Sequence, residues 1–446
     1  MNQNQSFRKS LISIALPVTL QALLQSSFSV IDQVMIGQLG SDSIAGIGLG
    51  SKFASIYTVV LGAVSAAAGI MAAQYIGADN KKEMGRSFYM NLFFGILIAA
   101  LFTLGCQLFP EQIMSVYTKD VTTCTTAADY LRIYSLSFVP MAAATMMAVL
   151  LRCMEAAVFP LVASILAVVI NTALNYVMIF GKFGFPRMEV KGAAFASIIA
   201  QFVSLGVTFV FFLIQLRKKK IRLLYGGHPE KKAIVQYIGI LGPILICEFM
   251  WSLGENVYAA IYGNIGTDEC AAMTMTNPIQ GLIIGALSGL SQAAGIMIGK
   301  SLGNNEYEKA YKDSVKLMKY GLVGSVILSV LLILTGRYYV LIYNVEAYVL
   351  SVAYQLLVVF AIVSPMKVLN MILGGGIIRS GGKTKYVMWV DLIGTWCFGV
   401  PLGLLAAFVF KLPIPLVYFI LSLEEGVRLI ISLVLFRKRS WMERLS

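Results

Sequence analysis

The chain has 446 residues, of which 58% are hydrophobic and only 13% charged. Soluble domains carry roughly 25% charged residues, so the composition excludes an ordinary soluble protein and points into a lipid bilayer. The formal net charge of +13 invites a nucleic-acid partner, but the basic residues gather at the ends and connections of apolar segments, which is a membrane topology signal.

Taken in chain order, the predicted membrane spans are 10–36, 44–76, 87–109, 128–152, 157–180 and 192–216, followed by 234–262, 270–302, 314–335, 350–378, 385–410 and 415–436. Each can cross a hydrocarbon core of roughly 30 Å, and several exceed the roughly 20 residues needed, so tilt or kinks are expected there. Between the sixth and seventh spans lies a polar stretch with Gly226-Gly227 and Pro229 as breakers. The expected division is an N-terminal six-helix lobe over 1–216, a basic cytoplasmic linker over 217–233 and a C-terminal six-helix lobe over 234–446. Arg8-Lys9 precede a first span too long for the apolar region of a signal peptide, so no cleavable signal is expected.

The two halves repeat. Residues 17–87 align with 243–313 at a constant offset of 226, without a gap. Pro17 falls on Pro243, Gly37 on Gly263, Gly40 on Gly266, Asp42 on Asp268 and Gly77 on Gly303. Ala67-Ala68-Gly69-Ile70-Met71 recurs as Ala293-Ala294-Gly295-Ile296-Met297. Identity is only 14 of 71, so the weight rests on the fixed register and the turn residues it carries. The register drifts by about one residue at Pro140/Pro365 and Arg152/Arg379. Six spans per copy is an even number, so the copies share one orientation, a parallel repeat about an axis along the membrane normal. The predicted fold class is an all-α integral membrane protein of twelve transmembrane helices in two pseudo-symmetric six-helix bundles.

With both termini cytoplasmic, 25 of the 35 Lys and Arg fall on the cytoplasmic side, seven fall outside, and Lys52, Lys367 and Arg428 lie within spans. That asymmetry fixes the orientation. The same residues attract anionic lipid. The six cysteines form no CxxC or metal spacing and read as small apolar residues, and the single histidine, His228, sits in the basic loop.

Span 1 carries Asp32, with Gln21, Gln25 and Ser29 on nearly the same helical face. A carboxylate near the bilayer centre costs about 2.5–3.5 kcal/mol, so it should face the bundle interior or water. It reads as a proton- or cation-carrying site, or as an acid near the outer rim where Gly37 to Gly40 end the span. Span 5 carries Asn171 and Asn175 one turn apart; these amides tie helices together, or complete a sodium shell around Asp32, or position its proton.

The second half has Tyr258 at the register of Asp32. Its polar candidates are Glu248 and Glu255 on one face of span 7, Lys367 on span 10 and Asp391 on span 11. They form either a second cation or substrate site or a buried Glu–Lys pair between spans 7 and 10. Glu424 and Arg428, four residues apart on span 12, should form a local ion pair. No glycine-rich segment is followed by Lys-Ser/Thr in P-loop spacing, which argues against ATP and for an ion gradient as driver. Clustered catalytic residues are missing too, so an enzyme is not expected.

With these residues in hand, the chain resembles the multidrug and toxic compound extrusion (MATE) family over nearly its full length. In the first half the likeness rests on Ile31-Asp32-Gln33-Val34-Met35-Ile36-Gly37-Gln38-Leu39-Gly40, the pair Asn171 and Asn175, Gly184-Phe185-Pro186, and Gly192-Ala193-Ala194-Phe195-Ala196-Ser197. In the second it rests on Tyr262-Gly263-Asn264-Ile265-Gly266-Thr267, Arg379-Ser380-Gly381-Gly382-Lys383-Thr384 and Arg437-Lys438-Arg439-Ser440-Trp441. The resemblance implies two six-helix lobes and export of cationic or amphipathic compounds in exchange for protons or sodium. It implies an N-lobe cation site at Asp32, Asn171, Asn175 and Ser197, with sodium, where used, at Asp32.

The chain departs from that family in three places. It has Asn175 where many members have an aspartate, Lys383 where sodium-coupled members have an acid, and Trp251 where they have another, one turn from Glu255. Coupling is therefore expected through Asp32, with Glu255, Glu248, Lys367 and Asp391 as a second-lobe polar site. The expected partners are small organic cations and membrane lipids, with no nucleic acid and no cofactor beyond the coupling proton or sodium. The expected setting is a monomer in the inner or plasma membrane. The alternatives are a flippase for a lipid-linked precursor and a narrow-substrate exporter.

Overall fold

In a computed structural model, the structure describes residues 3–36, 39, 41–221, 223, 231–343 and 345–445, and for 3–4, 28–34 and 41–42 it describes the backbone alone. The linker breakers and His228 lie outside the described residues, and so does the side chain of Asp32. No strand occurs among the described residues. Eleven helices there are long and apolar enough to cross a membrane. They are α1 (Gln3–Ile36), α2 (Ser41–Gly77), α3 (Lys81–Leu108), α4 (Val121–Cys153), α5 (Val158–Phe180), α6 (Glu189–Lys218), α7 (Lys231–Ile265), α8 (Thr267–Gly303), α9 (Tyr307–Val340), α10 (Ala347–Ile378) and α11 (Thr384–Val409).

The twelfth span, α12, is two pieces, Ile414–Ser422 and Glu424–Lys438, that meet at Leu423. The break puts Glu424 and Glu425 in the first turn of the second piece, where free backbone N–H groups favour negative charge. Two long helices carry an internal proline. Pro17 inside α1 and Pro243 inside α7 share one register of the repeat, and each removes an internal hydrogen bond. A wide π-helical turn over Met371–Ile378 ends α10 just before Arg379.

The described chain forms two compact units that interleave in sequence. The first unit comprises 20–72 and 80–231; the second comprises 1–19, 73–79 and 232–446. In the first unit the most extensive packing is α5 on α6. Gly181 makes it possible, ending α5 in the left-handed conformation (φ 65°). Gly192 then lets the backbone of α6 pass Met178, where a Cβ would stand 2.8 Å from the Met178 carbonyl. The outer side of the unit is apolar: Phe93, Leu97, Leu101, Leu104 and Leu108 line one exposed face of α3, the face that lipid would cover.

In the second unit α9 packs on α10 through a buried Ser329–Ser364 hydroxyl contact of 2.8 Å. Ser291 of α8 donates to the Met371 carbonyl at 2.7 Å, and Gly376 approaches Ser291 so closely that a Cβ would lie 2.6 Å from its carbonyl oxygen. The same unit holds a reciprocal contact between repeat positions. A Cβ on Gly77 would fall on the Lys300 carbonyl, and a Cβ on Gly303 would fall on the Gln74 carbonyl. Both glycines and both carbonyl residues are related by the offset of 226.

Candidate functional site

In the first unit, helices α5 and α6 align a short polar chain in apolar surroundings. The Asn175 amide donates to Asn171 Oδ1 at 3.2 Å, the Asn171 amide donates to Ser197 Oγ at 3.3 Å, and Ser197 Oγ donates to the Ala193 carbonyl at 3.1 Å. Three of the four residues expected to form the N-lobe cation site are thus joined. The fourth, Asp32, lies on the α1 backbone with its side chain outside the described residues.

A cavity of about 410 Å³ occupies the same unit, lined by polar groups that include Gln21, Gln25, Ser164, Gln201 and Thr208. Gln21 Nε2 donates to Ser164 Oγ at 2.7 Å. The only charged residue in its described lining is Arg152, from the last turn of α4.

The second unit holds two adjoining cavities, of about 520 and 180 Å³, which share Glu255 and Lys367 in their walls. Their lining contains five carboxylates (Glu248, Glu255, Asp391, Glu424, Glu425) and three cations (Lys367, Arg379, Arg428). Arg379 reaches Glu248 at 3.3 Å and Cys247 Sγ at 3.3 Å, and the Cys247 thiol donates to Asp391 Oδ2 at 2.8 Å. Arg428 sits among Glu424 at 3.4 Å, Asp391 at 3.8 Å and Glu425 at 3.9 Å, and it also donates to Thr395 Oγ1. Tyr258 donates its hydroxyl to Glu424 Oε2 at 2.5 Å, and Asn370 donates to Glu425 Oε2 at 2.8 Å. The paired charges persist in an apolar bundle because they compensate one another; removing one leaves the rest uncompensated.

Two residues of this network remain available. Lys367 makes no ion pair among the described residues; its ammonium lies 6.0 Å from the ring of Tyr418. Glu255 is exposed to the cavities and is in no described ion pair or hydrogen bond. Outside the spans, Lys383 of the α10–α11 turn donates to Glu443, and that hydrogen bond holds its ammonium pKa above the ordinary value. Lys383 is thus tied to the C-terminal tail and is not part of either cavity's lining.

Residues 17–177 and 243–405 each match the MatE family model. The chain belongs to the MATE family. The two matches start 226 residues apart, the offset of the internal repeat. A probable multidrug resistance protein NorM of Thermotoga maritima is 24% identical over 98% of this chain and 94% of its own length. The uncharacterized transporter YisQ of Bacillus subtilis is 22% identical over 98% of this chain and 95% of its own. Among solved structures, the Vibrio cholerae MATE transporter VcmN in its bent form superposes with a TM-score of 0.88, at 17% identity, covering 98% of each chain. That likeness shows the fold. MATE proteins are transporters, not enzymes, and the chain is a multi-pass membrane transporter.

Within this MATE transporter, the expected second-lobe residues Glu255, Glu248, Lys367 and Asp391 all line the larger cavity. The expected Glu–Lys pair between spans 7 and 10 is not formed by Lys367; the pair joining those helices is Glu248 with Arg379. The local Glu424–Arg428 pair forms, but it is one edge of a network that reaches α11. Glu425, Arg379 and Arg152 are the site residues that sequence reading passed over. Two signals were present: adjacent acids Glu424-Glu425 inside an apolar span, and the shared register of Arg152 and Arg379.

Proposed function

We propose that this MATE transporter exports cationic or amphipathic organic compounds in exchange for protons or sodium ions. The observation that carries the reading is the excess of carboxylates over cations around the second-unit cavities, with Glu255 exposed and in no described ion pair or hydrogen bond. Acids in excess within apolar, aromatic walls suit an organic cation, whose charge they balance and whose rings the walls cover. The names of its relatives as multidrug resistance proteins support the same reading.

The coupling residue in this proposal is Asp32, assisted by Asn171, Asn175 and Ser197. Their amide and hydroxyl oxygens suit a sodium ion or a proton donor at that carboxylate. Deprotonated Asp32 favours the state that holds the cationic substrate. A proton or sodium ion arriving from outside neutralises it, favours a different packing of α1, α5 and α6, and lowers substrate affinity. One carboxylate balances one cation at a time, so exchange follows. A potential of 100 mV supplies about 2.3 kcal/mol per charge moved, which drives efflux tens-fold uphill. The two lobes, 1–216 and 234–446, alternate access across the linker at 217–233, as a monomer in the cell membrane with both termini cytoplasmic.

A flippase for a pyrophosphate-linked lipid would call for cations in excess where the second-unit cavities carry acids, so that alternative is disfavoured there. The test is ethidium efflux from proteoliposomes under an imposed pH or sodium gradient, with wild type beside Asp32→Asn. Efflux that depends on one gradient and is lost in the variant is the expected result. Gradient-driven efflux at wild-type level in Asp32→Asn would overturn the coupling mechanism.

A further inference from the structure

We infer that the first-unit cavity is a binding site for the anionic group of a ligand, a carboxylate or a phosphate, with Arg152 as its cation. The cavity is about 410 Å³, large enough for a small organic anion, and its described lining contains no Asp or Glu. Arg152 makes no side-chain hydrogen bond or ion pair among the described residues, and its Nε is shut away from solvent without an acceptor. A guanidinium has five N–H donors and no acceptor capacity, so its unmet need is for oxyanions. Its position in the last turn of α4 suits the helix dipole, which explains why a cation is tolerated there but gives its buried Nε–H no acceptor. Gln21, Ser164, Gln201 and Thr208 line the same cavity with neutral hydrogen-bonding groups, which can complete an oxyanion's shell without competing for the charge.

The repeat makes the point independently. At an offset of 227, Arg152 falls on Arg379 and Ser164 on Asp391; at 226, Ala22 falls on Glu248 and Gln21 on Cys247. In the second unit the arginine is answered by Glu248, and the Cys247–Asp391 hydrogen bond of 2.8 Å brings a carboxylate beside it. In the first unit the matching hydrogen bond, Gln21 to Ser164 at 2.7 Å, is neutral, and alanine replaces the glutamate. The same scaffold position keeps its arginine and has lost both acids, so a ligand is left to supply the counter-charge. This extends the export reading, on which it depends only for calling the ligand a substrate: the compound carried would be amphipathic with an acidic group.

Titration calorimetry on the full chain in neutral phosphatidylcholine nanodiscs tests it, with benzoate, benzyl phosphate and benzyltrimethylammonium as probes. Binding of both anions should weaken about tenfold or more in Arg152→Gln, the loss of one charged hydrogen-bonding partner, and be retained in Arg152→Lys. Ser164→Asp, which supplies the acid that the second unit has at this register, should weaken the anions likewise. Benzyltrimethylammonium should bind all four proteins alike, which reports that the variants fold. Adding phosphatidylglycerol to the nanodiscs separates the sources: unchanged benzoate binding assigns the site to soluble anions, and competition assigns it to a lipid headgroup. Absence of anion binding to wild type, or anion binding unaltered in both Arg152→Gln and Ser164→Asp, overturns the inference. Loss of ethidium efflux with anion binding intact would count against the export reading and not against this site.

Discussion

The cavities of the two units occupy matching registers of one repeat and carry different electrostatics. Among the described residues, the first has a single cation with neutral amides and hydroxyls; the second has five carboxylates and three cations, two of them in ion pairs. The repeat shares its backbone features, since Pro17 and Pro243 both lie inside a helix and Gly77 and Gly303 pack alike. The side chains facing the cavities diverged, because a cavity wall is free of the packing constraints that hold a helix crossing in place. The lesson is that symmetry in a transporter of this kind is a property of its frame and not of its sites.

The largest effect should come from the charged side of that comparison. Arg428→Gln strips the shared counter-ion from Glu424, Glu425 and Asp391 and should destabilise the purified protein by about 3–5 kcal/mol. Gln201→Met, at a neutral position in the lining of the first-unit cavity, should cost about 1 kcal/mol or less. Unfolding in a graded denaturant series reads both, and equal losses would erase the contrast drawn here.

The frame gives the intermediate effect. Gly77→Ala and Gly303→Ala each drive a methyl group into a backbone carbonyl and should each cost about 1–3 kcal/mol, with matching magnitudes. A large cost at one glycine and none at the other would show that the reciprocal crossing is not symmetric in energy.

The smallest effect belongs to the surface. Glu443→Gln removes the partner of the half-exposed Lys383 and should cost at most about 1 kcal/mol at neutral pH. Because the pair raises the Lys383 pKa, its contribution is complete below the unfolded lysine value and is lost as pH rises through the folded one. Melting profiles of wild type and variant should therefore converge only in strong alkali. Convergence already at neutral pH would mean the pair contributes nothing.

Much of the fold was legible in the chain, because a helix in lipid must satisfy its own backbone and hide its polar groups, and both demands write themselves into local sequence. Span number, the repeat and the prolines all followed from that. The last span was read as one helix, yet it breaks at Leu423, since two adjacent carboxylates are better placed in a fresh first turn than in mid-helix. For the sites, sequence singled out Glu248, Glu255, Lys367 and Asp391 because a charge in an apolar span is conspicuous. It could not say who pairs with whom. Glu248 goes to Arg379 and leaves Lys367 unpaired, a choice made by helix rotation and by the wide turn over Met371–Ile378, neither of which has a local signature.

By itself, then, the sequence determined that this protein is a duplicated bundle of apolar helices, about where each helix ends, and which side chains are too polar for lipid. Tertiary structure alone decided that Asn171, Asn175 and Ser197 form one chain, that Arg428 serves three carboxylates, and that Arg152 serves none among the described residues. The physical reason is range. Hydrophobic periodicity and turn chemistry act within a few residues, whereas the partner of a buried charge is set by contacts between helices far apart in the chain.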